Sequence, residues 1–305
     1  MEMHYEDGAG TSLSYQKKEN HIVITGCQAK ASKAEIPEFL EGFPVTEIGK
    51  KAFLGCKRLG TVRLPKNVTV IGEWAFGFCS ALREIYLPKH EISFGQGCFH
   101  KDKALRRIYL EMAEQSFESN DAQEQTAALL AAAVQQLHAE YLLEPALAGG
   151  RTWLEKWDLA MRTFLAAPDE EGYQKLVLCG EEDLSANLED YLADRRRKKA
   201  EVCFTRLMNS QGLSSQDRVL LTDYLRAHQK GCESEAAWEA VLMEHGDEKE
   251  YYSLLLELSC VTKKNLEPML ADMGDRHAEM KAYLINEQDT EKRKNEFFDA
   301  LSLDF

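Results

Sequence analysis

Residues 48–65 read IGKKAFLGCKRLGTVRLP, residues 71–88 read IGEWAFGFCSALREIYLP, and residues 94–110 read FGQGCFHKDKALRRIYL. A shift of 23 residues superposes the three without a gap: Ile48, Ile71 and Phe94; Phe53, Phe76 and Phe99; Leu59, Leu82 and Leu105; Val62, Ile85 and Ile108; Leu64, Leu87 and Leu110. Repeats of about 20–29 residues with aliphatic side chains at fixed offsets mark a solenoid. One such unit cannot bury its apolar face alone, so copies stack and share a core. Stacked repeats present long surfaces, and that points to binding.

Each unit contains two short extended segments around a compact turn. The first ends in a glycine, Gly49, Gly72 or Gly95, read here as a residue that permits unusual backbone angles. The turn brings Phe53 and its equivalents inward. In the second segment Leu59, Val62 and Leu64 and their equivalents point to the core, and Pro65 and Pro88 close the strand. Upstream, Ser12–Tyr15 and His21–Ile24 flank the polar run QKKEN and predict a β-hairpin. Residues 34–49 then form an irregular first coil that shields the first open edge of the stack.

These units resemble the BspA-type leucine-rich repeat of bacterial proteins. The match runs through Ile36-Pro37, Val45, Ile48-Gly49, Ala52-Phe53, Cys56, Leu59, Val62 and Leu64-Pro65, and again one period later, over about residues 20–110. The third copy departs at Phe94, Cys98, Asp102 and the missing proline, as an end repeat does. The resemblance implies a β-rich right-handed solenoid used for protein recognition, in a family often secreted or on cell surfaces.

Stacking sets equivalent side chains in rows. Thr61, Glu84 and Arg107 form one, and Arg63, Tyr86 and Tyr109 another; alternation along a strand turns both outward. Tyr and Arg are enriched at interface hot spots. The candidate partner-binding residues are therefore Arg63, Tyr86, Tyr109, Arg107 and Glu84, with Trp74, beside the buried Ala75-Phe76, as a further contact. Tyr-on-Tyr packing that merely stabilises the sheet accounts for the same row.

After residue 110 the strand signals stop and the charge changes sign. Residues 1–110 carry 16 Lys and Arg against 12 Asp and Glu, and residues 111–305 carry 21 against 39. The expected division is thus 1–110 and 111–305, the second part all-helical. Leu130, Val134, Leu137 and Tyr141 have the spacing of one helix face, starting near Asn120 or Asp121. Further helices are expected at about 151–166, 169–178, 186–209, 215–229, 234–244, 248–260, 263–273, 276–286 and 290–301, with caps at Ser185, Ser214, Ser234, Asp247, Thr262, Asp275 and Asp289. Residues 235–257 and 265–286 align under a shift of 28, matching Gly246-Asp247 with Gly274-Asp275. That suggests repeated helical hairpins, and the run MGDRHAEMKAYLIN resembles the helix pair of an ankyrin repeat. The overall class is α+β: a leucine-rich-repeat solenoid followed by an ankyrin-like all-α solenoid, with an irregular helical bundle as the alternative for the second part.

An acidic second part repels nucleic acid and anionic membrane, so neither is expected as a partner. Arg195–Lys199 is the densest basic run and reads as a solvated helix face paired with Glu189 and Asp190. Eight cysteines occur without a CxxC, and Cys56 and Cys79 share one repeat slot that Asp102 takes in the third copy. They read as mostly buried free thiols in a reducing compartment. No phosphate-binding glycine loop, HExxH or GxSxG is present, and the eight histidines lack ligand spacing. No enzyme, cofactor or metal site is expected. With no signal-like N-terminus or membrane span visible, the expectation is a cytoplasmic protein, or a surface or extracellular one if the chain is trimmed. The leading function is a non-catalytic protein-recognition module; the alternative is a self-associating structural or surface-adhesion protein.

Overall fold

The computed structural model of the chain describes residues 3–6, 10–111, 121–173 and 187–288. The chain opens with an antiparallel meander, β1 (Met3–Glu6), β2 (Thr11–Lys17) and β3 (Ile22–Ala29), in which Tyr15 faces Ile24 as the expected hairpin requires. The first coil is less irregular than its sequence implied: β4 (Lys33–Glu35) is followed by a tight antiparallel pair, β5 (Phe39–Leu40) and β6 (Phe43–Ile48). The repeats then supply β7 (Thr61–Arg63), β8 (Val70–Ile71), β9 (Glu84–Pro88), β10 (Ser93–Phe94) and β11 (Arg107–Glu111).

First segments and second segments form separate parallel ladders. One sheet runs β1-β2-β3-β6-β8-β10, and the other runs β11-β9-β7-β4. The 23-residue period is the register itself: Glu47 pairs with Val70 and Val70 with Ser93, while Val62 pairs with Ile85 and Ile85 with Ile108. Between the ladders lies the apolar core. Phe53, Phe76 and Phe99 are essentially inaccessible and stack at 4.9 and 5.6 Å.

The glycines of the first segment are needed for a reason other than backbone angle. Gly49, Gly72 and Gly95 do not have positive φ. Instead, neighbouring coils approach too closely for a side chain: a Cβ on Gly72 would lie 2.6 Å from the Lys50 nitrogen, and one on Gly95 2.3 Å from the Glu73 nitrogen. The Cys slot ties one coil to the next through hydrogen bonds. The Cys79 thiol donates to the Phe53 carbonyl at 3.0 Å, and the Asp102 carboxylate accepts from the Cys79 amide at 2.7 Å.

The last coil is covered by α1 (Asp121–Gln135), which packs along β11 and buries every side chain from Ala127 to Val134. This helix ends earlier than the apolar spacing suggested. His138 takes a left-handed conformation, and bonds from Leu137 N to Ala132 O and from Ala139 N to Ala133 O close the helix. Leu137 and Tyr141 therefore leave its face, and Tyr141 is exposed. Behind α1, α2 (Arg151–Ala166) buries Trp153 and Trp157, whose indole nitrogens donate to Leu142 O and Leu129 O, each at 2.9 Å. By internal contacts one compact unit comprises Met1–Leu165 with Asn209–Leu213, and a second comprises Ala166–Met208 with Ser214–Phe305.

The described part of the second unit is helical: α3 (Leu188–Met208), α4 (Ser215–Ala227), α5 (Ala236–Glu244), α6 (Lys249–Glu257), α7 (Leu266–Met273) and α8, residues 278–288. Tight turns join α5 to α6 and α7 to α8, as the Gly-Asp repeat anticipates. Ser214 caps α4 by accepting from the Asp217 amide at 3.0 Å. The other described caps shift. Glu235, Glu248 and Asn265 occupy the N-cap positions of α5, α6 and α7. Asn265 stands in place of Thr262 without a side-chain capping bond; its enclosed side chain accepts from Thr262 N and donates to Cys260 O and Lys230 O. Of the helix expected at about 169–178, residues 169–172 form turns instead and residues 174–178 lie outside the described residues, as do Ser185, Asp289 and the helix expected at 290–301.

The basic run finds partners other than Glu189 and Asp190. Arg197 and Lys198 pair with Asp194, Arg195 with Glu171, and Arg196 and Lys199 with Asp169. Two of these carboxylates belong to residues 166–173, a segment that folds back onto α3, so a search confined to the helix cannot find them.

Candidate recognition surface

The parallel register of β7, β9 and β11 places Arg63, Tyr86 and Tyr109 directly side by side on the outer face. The Arg63 guanidinium lies 4.3 Å from the Tyr86 ring centre, and the Tyr86 and Tyr109 rings stack at 4.7 Å. Both ends of the row are held by carboxylates that sequence reasoning missed. Glu111 pairs with Arg63, and Glu124 of α1 accepts from the Tyr109 hydroxyl at 3.0 Å. Glu124 also lies 3.6 Å from Arg107. Glu84 stands between Thr61 and Arg107 in the parallel row.

This environment raises the proton affinity of both tyrosines. Burial and then the hydrogen bond to Glu124 push the Tyr109 hydroxyl up. Burial and then the Glu84 charge raise Tyr86. Both remain neutral donors across the physiological range. The row is half-buried, and its far end rests against α1. At the ends of β7 and β9 a shallow groove of about 200 Å³ is bordered by Arg63, Glu111, Glu38, Lys66 and the prolines Pro65 and Pro88.

Trp74 belongs to a different edge. It lies in the turn between the two ladders, tilted against His100 at 4.7 Å and stacked with Phe78 at 5.9 Å. The six candidate residues are thus five on the strand face and one on the turn edge. The companions of Trp74 were visible in the repeat: Phe78 occupies the slot of Gly55 and Lys101, and His100 the slot of Leu54 and Gly77.

Among the described residues no group of three or more His, Cys, Asp or Glu side chains is placed to hold a metal ion. Among them, no helix is long and apolar enough to cross a membrane.

No curated protein matches the chain. Among solved structures it is similar to a leucine-rich repeat protein of T. pallidum, with 33% identity over 32% of this chain and 46% of that one and a TM-score of 0.26. It is also similar to a leucine-rich cell surface protein of Faecalibacterium prausnitzii, with 25% identity over 36% of this chain and 30% of that one and a TM-score of 0.30. The chain spans less than half the length of either. The family model described as BspA type leucine rich repeat region matches residues 29–126 in six copies. With the in-phase register of the two ladders, this match assigns residues 29–126 of the chain to the BspA-type leucine-rich repeat family.

Proposed function

We propose that the chain is a non-catalytic protein-recognition module whose contact row on the strand face is Arg63, Tyr86 and Tyr109, with Glu84 and Arg107 beside it. The observation that supports this reading is the fixation of the row. Stacking at 4.3 and 4.7 Å and the carboxylates of Glu111 and Glu124 hold three long side chains in one arrangement before any partner arrives. Ordering such side chains on binding costs about 0.5–1.5 kcal/mol each, so a pre-set row binds with less loss. Tyr and Arg are also the residues that dominate interface energetics. On this reading the recognition surface lies within residues 1–110, and residues 111–305 form an ankyrin-like helical domain. The buried thiols of Cys79, Cys98, Cys203 and Cys260 suit a reducing compartment such as the cytoplasm.

The test is differential capture from native lysate by wild type and by the double variant Arg63→Ala, Tyr86→Ala. Tyr109 is left intact because it anchors α1. A protein retained by wild type and at least about tenfold depleted with the variant supports the row as a hot spot. Equal capture by both would assign the row to sheet packing instead. Recovery of the chain's own copies alone would favour self-association.

A further inference from the structure

The turn edge carries a second feature that the strand face does not explain. Two of its slots are left-handed in all three repeats: Lys51, Trp74 and Gly97 at φ of 60°, 56° and 62°, and Gly55, Phe78 and Lys101 at 71°, 60° and 60°. Glycine fills each slot once, as the conformation favours. The middle repeat instead holds two of its aromatics there, Trp74 and Phe78, bulky residues for which a left-handed backbone is a strained outlier. Strain of this kind persists where the side chain has a use. Phe78 is 40% exposed and Leu54 of the neighbouring coil is also 40% exposed. Through Gly77, where an added Cβ would meet the Trp74 ring at 3.2 Å and Leu54 at 3.4 Å, Leu54, Trp74 and Phe78 join into one apolar strip.

The strip is rimmed by cations. The turns 50–58, 73–81 and 96–104 contain Lys50, Lys51, Lys57, Arg58, Lys101 and Lys103, and only two acids, Glu73 and Asp102. Glu73 is paired with Lys50 at 2.7 Å, and Asp102 is fully buried. Lys101 lies 5.4 Å from the centre of the Phe78 ring. The edge is therefore basic on a chain of net charge -14. At physiological ionic strength fields fade over about 8 Å, so a ligand at this edge meets mainly the local cations.

We infer that the turn edge of the leucine-rich repeat, centred on Trp74 and Phe78 and rimmed by Lys57, Arg58 and Lys101, docks an acidic peptide segment of a partner protein, with an apolar side chain of that segment on the aromatic strip. Charge complementarity selects the acidic partner, and the exposed Leu54 and Phe78 select an apolar anchor between its carboxylates. A single-stranded nucleic acid fits less well, because base stacking needs an open ring face. The Trp74 ring already packs against Phe78 and His100, and Lys101 lies over Phe78. This inference rests on the recognition reading above but not on the strand row.

The test uses the full chain and a fluorescein-labelled peptide with glutamates on both sides of a Leu-Phe pair, read by anisotropy. Two variants address the edge. Lys57→Glu with Lys101→Glu reverses two exposed charges, and Phe78→Gly places glycine in its preferred conformation while removing the anchor contact. The expected result is saturable binding by wild type that weakens with added salt and falls about tenfold or more in each variant, with thermal midpoints maintained. The Arg63→Ala, Tyr86→Ala variant is expected to bind this peptide like wild type. No binding of the glutamate peptide, equal binding of a lysine counterpart, or indifference to both edge variants would each overturn the inference. Displacement by oligothymidylate would overturn it in favour of nucleic acid. Loss of binding only in the strand-row variant would move the peptide to that row, leaving the recognition reading standing and this one refuted.

Discussion

Phe53, Phe76 and Phe99 repeat one inaccessible side chain down the solenoid, whereas in the second unit Lys199, Arg206 and Asn265 lie about as deep and none of them repeats. The solenoid core is built from slots, each filled by the same kind of residue and supported by the coil on either side. The interior of the helical unit is also largely apolar, with Phe204, Trp238 and Tyr252 buried, but it encloses polar side chains held by individual bonds. Lys199 donates to the Ala167 carbonyl at 2.6 Å and to Asp169 at 2.7 Å, and the Trp238 indole donates to Asp272 at 2.7 Å. Slot packing draws its stability from apolar area and is insensitive to pH. Buried charge pairs are costly to break and carry pH dependence.

The sharpest test of the slot principle is Phe76→Ala, in the middle of the stack with a ring on either side. Truncating a buried Phe costs about 3–5 kcal/mol. Neighbouring coils cannot close the gap without shifting a ladder whose register is set by β7, β9 and β11. The expected outcome is a large drop in the urea midpoint, with amide exchange accelerated across those three strands. A cost below about 1 kcal/mol would show that the stack collapses around the void and that its slots are not rigid.

Asp102 is where the solenoid breaks its own rule. The Cys slot holds Cys56 and Cys79 and then this carboxylate, fully buried, with one oxygen on the Cys79 amide and the other lacking a hydrogen-bond partner among the described residues. Burial raises its pKa to about 7 despite that hydrogen bond. An unfolded Asp titrates near about 3.9. Between these values the folded chain holds a proton that the unfolded chain has lost, so stability falls as pH rises from about 4 to about 7. Asp102→Asn keeps the acceptor for the Cys79 amide and removes the charge. The variant is expected to match wild type near pH 4 and to exceed it by about 4 kcal/mol at pH 8. Parallel stability profiles for the two proteins over that range would mean that Asp102 reaches solvent or a cation when ionised.

The same contrast decides what could be read in advance. A strict period makes each residue in a slot a report on its neighbours, so the inward Leu59, Val62 and Leu64, the stacked phenylalanines and the Arg63-Tyr86-Tyr109 row followed from the alignment of three segments. The left-handed slots were legible by the same logic, because Gly55 and Gly97 each mark a slot that an aromatic fills in the middle copy. Glu111 and Glu124 were not, since each meets its partner through a contact the repeat does not encode. In the helical part the sequence located most helices and the Ser214 cap, but not the other described caps. Asn265, at the N-cap of α7, directs its side chain to Lys230 instead of capping, a contact 35 residues away in sequence. Asp169 lies outside α3, so helix spacing could not name it as the partner of Lys199.

Asp169 supplies the mirror image of Asp102, with a smaller effect. Burial raises its pKa, but hydrogen bonds from Lys199 and Arg196 outweigh that and hold it below the usual carboxylate range. A depressed folded pKa contributes stability that is present above the unfolded value of about 3.9 and is lost as pH falls through the folded one. Acid should therefore loosen the helical unit around α3 over a pH range below that in which protonation of Asp102 favours the folded solenoid. Asp169→Asn removes the charge but leaves Lys199 its bond to Ala167 and an amide oxygen as second acceptor. The expected cost at pH 7 is about 2 kcal/mol, less than the loss for a buried cation left with no partner. The variant's acid-unfolding curve, followed by amide exchange in α3, should flatten below about pH 4, because the proton linked to that loss is gone. A variant that keeps the wild-type acid slope would transfer the linkage to another carboxylate. The closest alternative is Asp272, which Lys230 and Trp238 hold low against burial in the same way.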